Sequence, residues 1–155
     1  MKYFFDTSAF TKFYYQELGS VRVTAIFQET ESSIHISNLV FVETQSAFAM
    51  KVRTGALDLS SAEKAMSRVF KDIESGLVIA ARLNETHLDA ARLLVGKYGY
   101  TRRLRTLDAI QLAVALDLHR QGLADTFVAA DKFLAEVAAL EGLAVENPEA
   151  EAHIT

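Results

Sequence analysis

Four acidic residues offer the chemistry in this sequence. Asp6 ends the apolar run Lys2 to Phe5 (KYFF), and Asp131 follows the run Thr126 to Ala130 (TFVAA). Asp108 stands two residues after Thr106, and Glu43 lies early in the segment that begins at Leu39. If the two runs are neighbouring parallel strands, these carboxylates converge on one cleft. Converging carboxylates repel and raise one another's pKa values unless a cation sits among them. An all-oxygen donor set suits Mg²⁺ or Mn²⁺ rather than zinc. Mg²⁺ keeps bound water, which can be activated against a phosphodiester, and a pair of ions about 4 Å apart can stabilise both attacking and leaving oxygens. The spacing leaves one ion or two open. Each acid also has a plainer role. Asp108 and Asp131 suit helix starts, where the dipole favours a carboxylate. Glu43 could be a solvated helix residue, although Leu39, Val40, Phe41 and Val42 precede it. Asp6, abutting an apolar run, needs either a cap role or a cation.

The elements that must position these acids can be read from periodicity and punctuation. Strands are expected at Lys2–Phe5, Ser33–Ser37, Leu77–Ala81, Thr126–Ala130 and Leu143–Val145. Helices are expected from about Ala9 to Gln16 behind Thr7 and Ser8, from Ser20 to Glu29, and from Leu39 to Arg53 with a stop at Gly55. Further helices should run from the Ser60/Glu63 capping box to Glu74, from the Asn84 cap to Tyr98, from the Thr106 cap to Gln121, and over Lys132–Leu140. Strands alternating with helices imply right-handed crossovers and an α/β fold of three layers, α/β/α, around a mainly parallel central sheet. In such sheets ligands bind beyond the carboxyl ends of the strands, where Asp6 and Asp131 fall.

Composition narrows the classes. The 155 residues, half of them hydrophobic and 23 % charged, suit one globular domain, expected over 1–148 with a short tail at 149–155. The absence of cysteine excludes disulfides, thiolate metal sites and thiol nucleophiles, and fits a reducing compartment. No stretch approaches a membrane span and the start does not open a signal peptide, so the cytoplasm is the expected location. There is no phosphate-cradling glycine loop. The net charge of −4 argues mildly against a nucleic-acid partner. Setting the four candidate acids aside leaves the remainder neutral, however, and a bound divalent ion would offset part or all of their charge.

At these residues the chain resembles a PIN-domain nuclease, and more narrowly the VapC-type toxins of type II toxin–antitoxin pairs. YFFDTSAF (Tyr3–Phe10) resembles the family's opening strand and first metal-binding Asp, and ISNLVFVET (Ile36–Thr44) the segment carrying its Glu. LRTLDAIQLAVAL (Leu104–Leu116) resembles its most recognisable motif, and Ala124–Pro148 its closing strand–helix–strand with the fourth acid. The four segments occur in the family's order along nearly the whole chain. The resemblance implies an Mg²⁺-dependent endoribonuclease, with Mn²⁺ able to substitute, acting on tRNA, rRNA or mRNA. It implies a homodimer restrained by a cognate antitoxin, with Asp6, Glu43, Asp108 and Asp131 as metal-binding and catalytic residues. Two departures are Ala129, where a hydroxyl residue is frequent, and Gln111, where histidine is frequent. Asp125 matches a frequent acid but reads as a helix-to-strand turn residue.

Other features are secondary. Arg102, Arg103 and Arg105, with Lys97, form the densest basic cluster and could contact phosphates at the cleft rim, or simply solvate a loop. The hydroxyls of Thr7 and Ser8 could orient the metal cluster or a scissile phosphate. Phe10, Phe13 and Tyr14 have helical spacing and are expected in the core or an interface rather than stacked on bases. His35, His87, His119 and His153 lack ligand spacing. The hairpin around Gly55–Ser60 corresponds to a region that can receive an antitoxin in the family. A non-catalytic RNA- or protein-binding module is the principal alternative. A small-molecule phosphatase ranks last, because Thr7 and Ser8, rather than a second Asp, follow Asp6.

Overall fold

In the computed structural model, residues 1–150 are described. The predicted tail from 149 and His153 therefore lie partly or wholly outside them. Five strands, β1 (Lys2–Phe5), β2 (Ser33–Ser37), β3 (Val78–Ala81), β4 (Thr126–Val128) and β5 (Ala144–Glu146), form one sheet in the order β3-β2-β1-β4-β5. Every strand pair in it is parallel. The chain steps one way from β1 to β2 and β3, then crosses to β4 and β5 on the other side of β1. That reversal opens a crevice at the carboxyl end of β1, beside β4.

Among the described residues seven helices cover both faces: α1 (Thr7–Phe10), α2 (Ser20–Gln28), α3 (Leu39–Arg53), α4 (Leu59–Glu74), α5 (Glu85–Tyr98), α6 (Thr106–Arg120) and α7 (Lys132–Leu140). The pleat of β1 divides the core. Tyr3 and Phe5 face α1 to α4, where they pack with Phe10, Val23, Ile26 and Val69. Phe4 faces the opposite layer, stacking on Phe127 at 5.8 Å among residues of α5, α6 and α7. Phe10 is buried, and Phe13 stacks on Phe27 at 3.9 Å, so this aromatic stripe belongs to the core.

The expected first helix is shorter than its periodicity suggests. After Phe10 it tightens into a 3-10 turn over Thr11–Phe13. The Thr11 hydroxyl donates to the Thr7 carbonyl, and Ser20 Oγ donates to the Lys12 carbonyl, which draws the chain away from a straight helix. Asp58, rather than Ser60, caps α4, its side chain accepting from Ser61 N. Gly19, at φ 86°, lets the chain turn into α2 against Pro148, whose carbonyl carbon would lie 3.1 Å from an added Cβ.

Candidate functional site

Three of the four acids begin helices on the carboxyl edge of the sheet, and the fourth lies one turn into α3. Asp6 leaves β1, its amide donating to the Val128 carbonyl of β4, and its Oδ1 accepts from Ala9 N at 2.9 Å to cap α1. Asp131 caps α7, with Oδ1 accepting from Phe133 N at 2.9 Å and Leu134 N at 3.2 Å. Asp108 lies in the first turn of α6 and reaches back toward the Arg105 amide at 3.4 Å. The expected Thr106 cap is therefore the first helical residue, with Arg105 in the capping position. Capping leaves these carboxylates free for a second contact, because a cap uses only some of a carboxylate's lone pairs.

Asp6 is the floor of the cleft at 5 % exposure. Burial pushes its carboxyl up to about 7, and the Asp108 charge adds to this, against the pull of the Ala9 and Ser8 hydrogen bonds. Ser8 Oγ is 2.8 Å from both Asp6 oxygens and accepts from Ala130 N at 3.0 Å and Asp131 N at 3.3 Å. It ties the ends of β1 and β4 together, which is why β4 stops at Val128 instead of continuing to Ala130. Thr7 Oγ1 donates to Glu43 Oε2 at 2.8 Å. Both hydroxyls thus orient carboxylates.

Arg105 spans the mouth. Its Nε lies 2.8 Å from Asp108 Oδ2, and its Nη2 lies 3.3 Å from Asp108 Oδ1 and 3.2 Å from Asp131 Oδ2. Arg103 lies over the Phe133 ring at 5.6 Å, Lys132 is at the same distance from that ring, and Arg102 pairs with Glu136 at 3.5 Å. Lys97 is apart from this group. It bonds Glu141 at 2.6 Å, beyond the C-terminal end of α7 and opposite to Asp131. Asp125 lies at the amino edge of β4, its amide donating to the Lys2 carbonyl at 2.7 Å, far from the cleft end of the strand.

Sequence reasoning gave no role to two residues at this site. Gln111, one turn past Asp108 on α6, donates through Nε2 to Glu43 Oε2 at 2.6 Å and to Thr7 Oγ1 at 3.1 Å. The available signal was a lone amide in the apolar run Ala109–Val114. Phe133 presents a partly exposed ring beside Asp131, flanked by two cations.

The donor chemistry fits a hard divalent cation: oxygen-only ligands, one carboxyl desolvated, and a cationic group already drawn to two others. Among the described residues, no three His, Asp or Glu side chains are gathered tightly enough to hold an ion as they stand. Glu43 is turned toward Thr7 and Gln111, while Arg105 lies between Asp108 and Asp131.

The family model for the PIN domain matches residues 3–144. The chain belongs to the PIN domain family. No curated protein sequence matches it. Among solved structures, its PIN fold is similar to that of VapC20 of Mycobacterium tuberculosis, a sarcin–ricin loop cleaving toxin. That match has a TM-score of 0.65 and 17 % identity, covering 91 % of this chain and 95 % of the other. VapBC2 of Rickettsia felis, bound to a DNA fragment from its promoter, matches with a TM-score of 0.66 and 15 % identity, covering 95 % and 98 %. VapBC-1 of nontypeable Haemophilus influenzae matches with a TM-score of 0.62 and 13 % identity, covering 96 % and 98 %. At these identities the likeness is one of fold. Among the described residues no helix of this PIN domain is long and apolar enough to cross a membrane.

Proposed function

We propose that this PIN domain is a divalent-metal-dependent endoribonuclease, the toxin of a type II VapBC-like pair acting in the cytoplasm. The observation that carries the reading is the buried Asp6 at the carboxyl end of β1, tied through Ser8 to the Asp131 amide, with Asp131 and Asp108 sharing Arg105, in a chain of this family. Asp6, Asp108, Glu43 and Asp131 would hold Mg²⁺ or Mn²⁺. When bound, the ion supplies an activated water and offsets the charge that builds on a phosphodiester under attack. The protein's own part is positional. Ser8 and the α1 amides orient Asp6, Thr7 and Gln111 orient Glu43, and the α7 amides orient Asp131. Arg102, Arg103 and Lys132 line the mouth with positive charge suited to phosphates. Arg105 neutralises Asp108 and Asp131 and can swing outward toward a phosphate. The partly exposed Phe133 ring suits an unpaired base.

The fold neighbours that are VapBC complexes support an antitoxin partner, and the homodimer follows the family expectation. The test is Mn²⁺ titration of the partner-free protein and of Asp108→Asn, followed by RNA cleavage on the same samples. Binding and cleavage in the wild type, both lost in the variant, would establish the reading. The Arg105 bridge favours one other reading, a non-catalytic RNA-binding module whose acids are neutralised internally. Tight RNA binding without Mn²⁺ binding or turnover would favour it.

A further inference from the structure

Gln111 is 2 % exposed, within a helix whose neighbours Ala109, Leu112 and Ala113 are buried and apolar. A primary amide in such surroundings is costly unless its hydrogen bonds are used. Its Nε2 is used fully, on Glu43 Oε2 at 2.6 Å and Thr7 Oγ1 at 3.1 Å. Thr7 Oγ1 in turn donates to the same Glu43 oxygen at 2.8 Å. The result is a closed triangle of residues from α1, α3 and α6 around a single carboxylate oxygen. Gln111 Oε1 is buried and has no partner among the described residues. The amide is therefore oriented for its donor, at the expense of its acceptor.

Two consequences follow from this arrangement. Glu43 Oε2 already receives two donors, which fixes the plane of the carboxylate and leaves Oε1 as its less committed oxygen. Gln111 also lies one helical turn beyond Asp108, on the same side of α6. One turn of α6 thus carries an acid of the site and the clamp that sets another, so the spacing between Asp108 and Glu43 is set by α6.

We propose that Gln111 is a positioning residue for Glu43, pinning Oε2 together with Thr7 so that Oε1 is the oxygen presented to the divalent cation. This rests on the metal-site reading above. Outer partners that orient metal ligands typically account for about 10- to 100-fold in metal affinity. Gln111→Met keeps the volume and removes the donor. Gln111→His keeps a donor in the form of an imidazole N–H. Thr7→Val removes the second, hydroxyl, donor.

The experiment is Mn²⁺ binding by calorimetry on these three variants, alongside wild type, Glu43→Gln and Asp108→Asn, with thermal melts to verify folding. Gln111→Met should weaken Mn²⁺ binding by about tenfold or more. Gln111→His should recover most of that loss, and Thr7→Val should fall between. In RNA cleavage, Gln111→Met should lower kcat and leave KM near wild type, since Gln111 touches a carboxylate and not the substrate. If folded Gln111→Met binds Mn²⁺ as wild type does while Glu43→Gln and Asp108→Asn lose affinity, the proposal falls and the metal site stands. If the wild type binds no Mn²⁺, the metal-site reading falls and takes the proposal with it. An equal loss in Gln111→Met and Gln111→His, both folded, would overturn the donor role by showing that shape alone matters.

Discussion

Asp6 and Arg105 are held in opposite ways, and their substitutions should diverge accordingly. Asp6 is nearly sealed, and burial works against its charge. Asp6→Asn keeps an acceptor for Ala9 N and Ser8 while removing that buried charge. In chelator the variant should therefore melt no lower than wild type, rising by roughly 2–4 °C for each kcal/mol of relief, yet show no metal-dependent cleavage. A melt well below wild type, read by circular dichroism, would mean that the carboxylate serves the fold. Arg105 is 59 % exposed and bridges Asp108 and Asp131, in the space the proposed ion would take. Ion pairs of this exposure hold about 0.2–1 kcal/mol. Arg105→Ala should accordingly bind Mn²⁺ up to roughly fivefold more tightly. Its RNA affinity should weaken, with a salt dependence shallower by about one phosphate contact. Weaker Mn²⁺ binding in this variant would show that the guanidinium supports the site instead of competing for it. The positions of Asp6, Asp108 and Asp131 were legible because strand ends and helix starts are written locally. The contact made by Gln111 was not, because its partner Glu43 lies 68 residues away in the chain and the contact exists only after folding.

Strands and helices were legible where the local signal was strong and unopposed. Ser33–Ser37, Leu39–Arg53 and Lys132–Leu140 have the bounds that alternation, helical period and capping imply. The departures occur where tertiary bonds outweigh local preference: Ser8 ends β4, and the Lys12 region bends the first helix. Ion pairs reinforce the hydroxyl bonds at that bend. Lys12, only 5 % exposed, bonds Glu17 at 3.0 Å and Glu149 at 2.7 Å, and Lys51 bonds Glu17 at 3.1 Å. Burial alone would raise Glu17, but the hydrogen bonds and charges of Lys12 and Lys51 outweigh it and hold the carboxyl below the usual range. A lowered folded pKa contributes stability that is present above the unfolded value of about 4.3 and is lost as pH falls through the folded value. The melting temperature should therefore decline below about pH 4.3, and Glu17→Gln should show a flatter decline from a lower starting point at pH 7. Parallel melting curves for the two proteins across that range would remove Glu17 from the account. Lys12 also fastens Glu149, beyond β5, to the 3-10 turn at Thr11–Phe13.

At the scale of the molecule, the all-parallel sheet and its β1–β4 switch point gather the acids at one edge, while the α3–α4 hairpin offers a second surface. A groove of about 420 Å³ lies between those helices, with Ala49, Val52, Leu59, Ala62 and Met66 along it and Arg53 and Glu63 among its polar residues. Phe41 and Phe70 stack at 5.9 Å nearer the start of α3, on the Glu43 side of the hairpin. The sequence marked this hairpin through Gly55 and the apolar residues around it. It could not show that Leu59 remains 62 % exposed, since exposure depends on where the neighbouring helix ends. If the antitoxin of the proposed pair lays an apolar helix in this groove, Leu59 is where an added charge would have to be desolvated against an apolar partner face. Leu59→Asp should then weaken capture of the co-expressed antitoxin by about tenfold or more, equivalent to about 1.4 kcal/mol, while leaving the RNA cleavage rate of the free toxin near wild type. Calorimetry of the purified pair measures the first quantity and single-turnover cleavage the second. Retained capture would place the antitoxin on another face, and a parallel loss of cleavage would tie the hairpin to the site through Glu43 on α3.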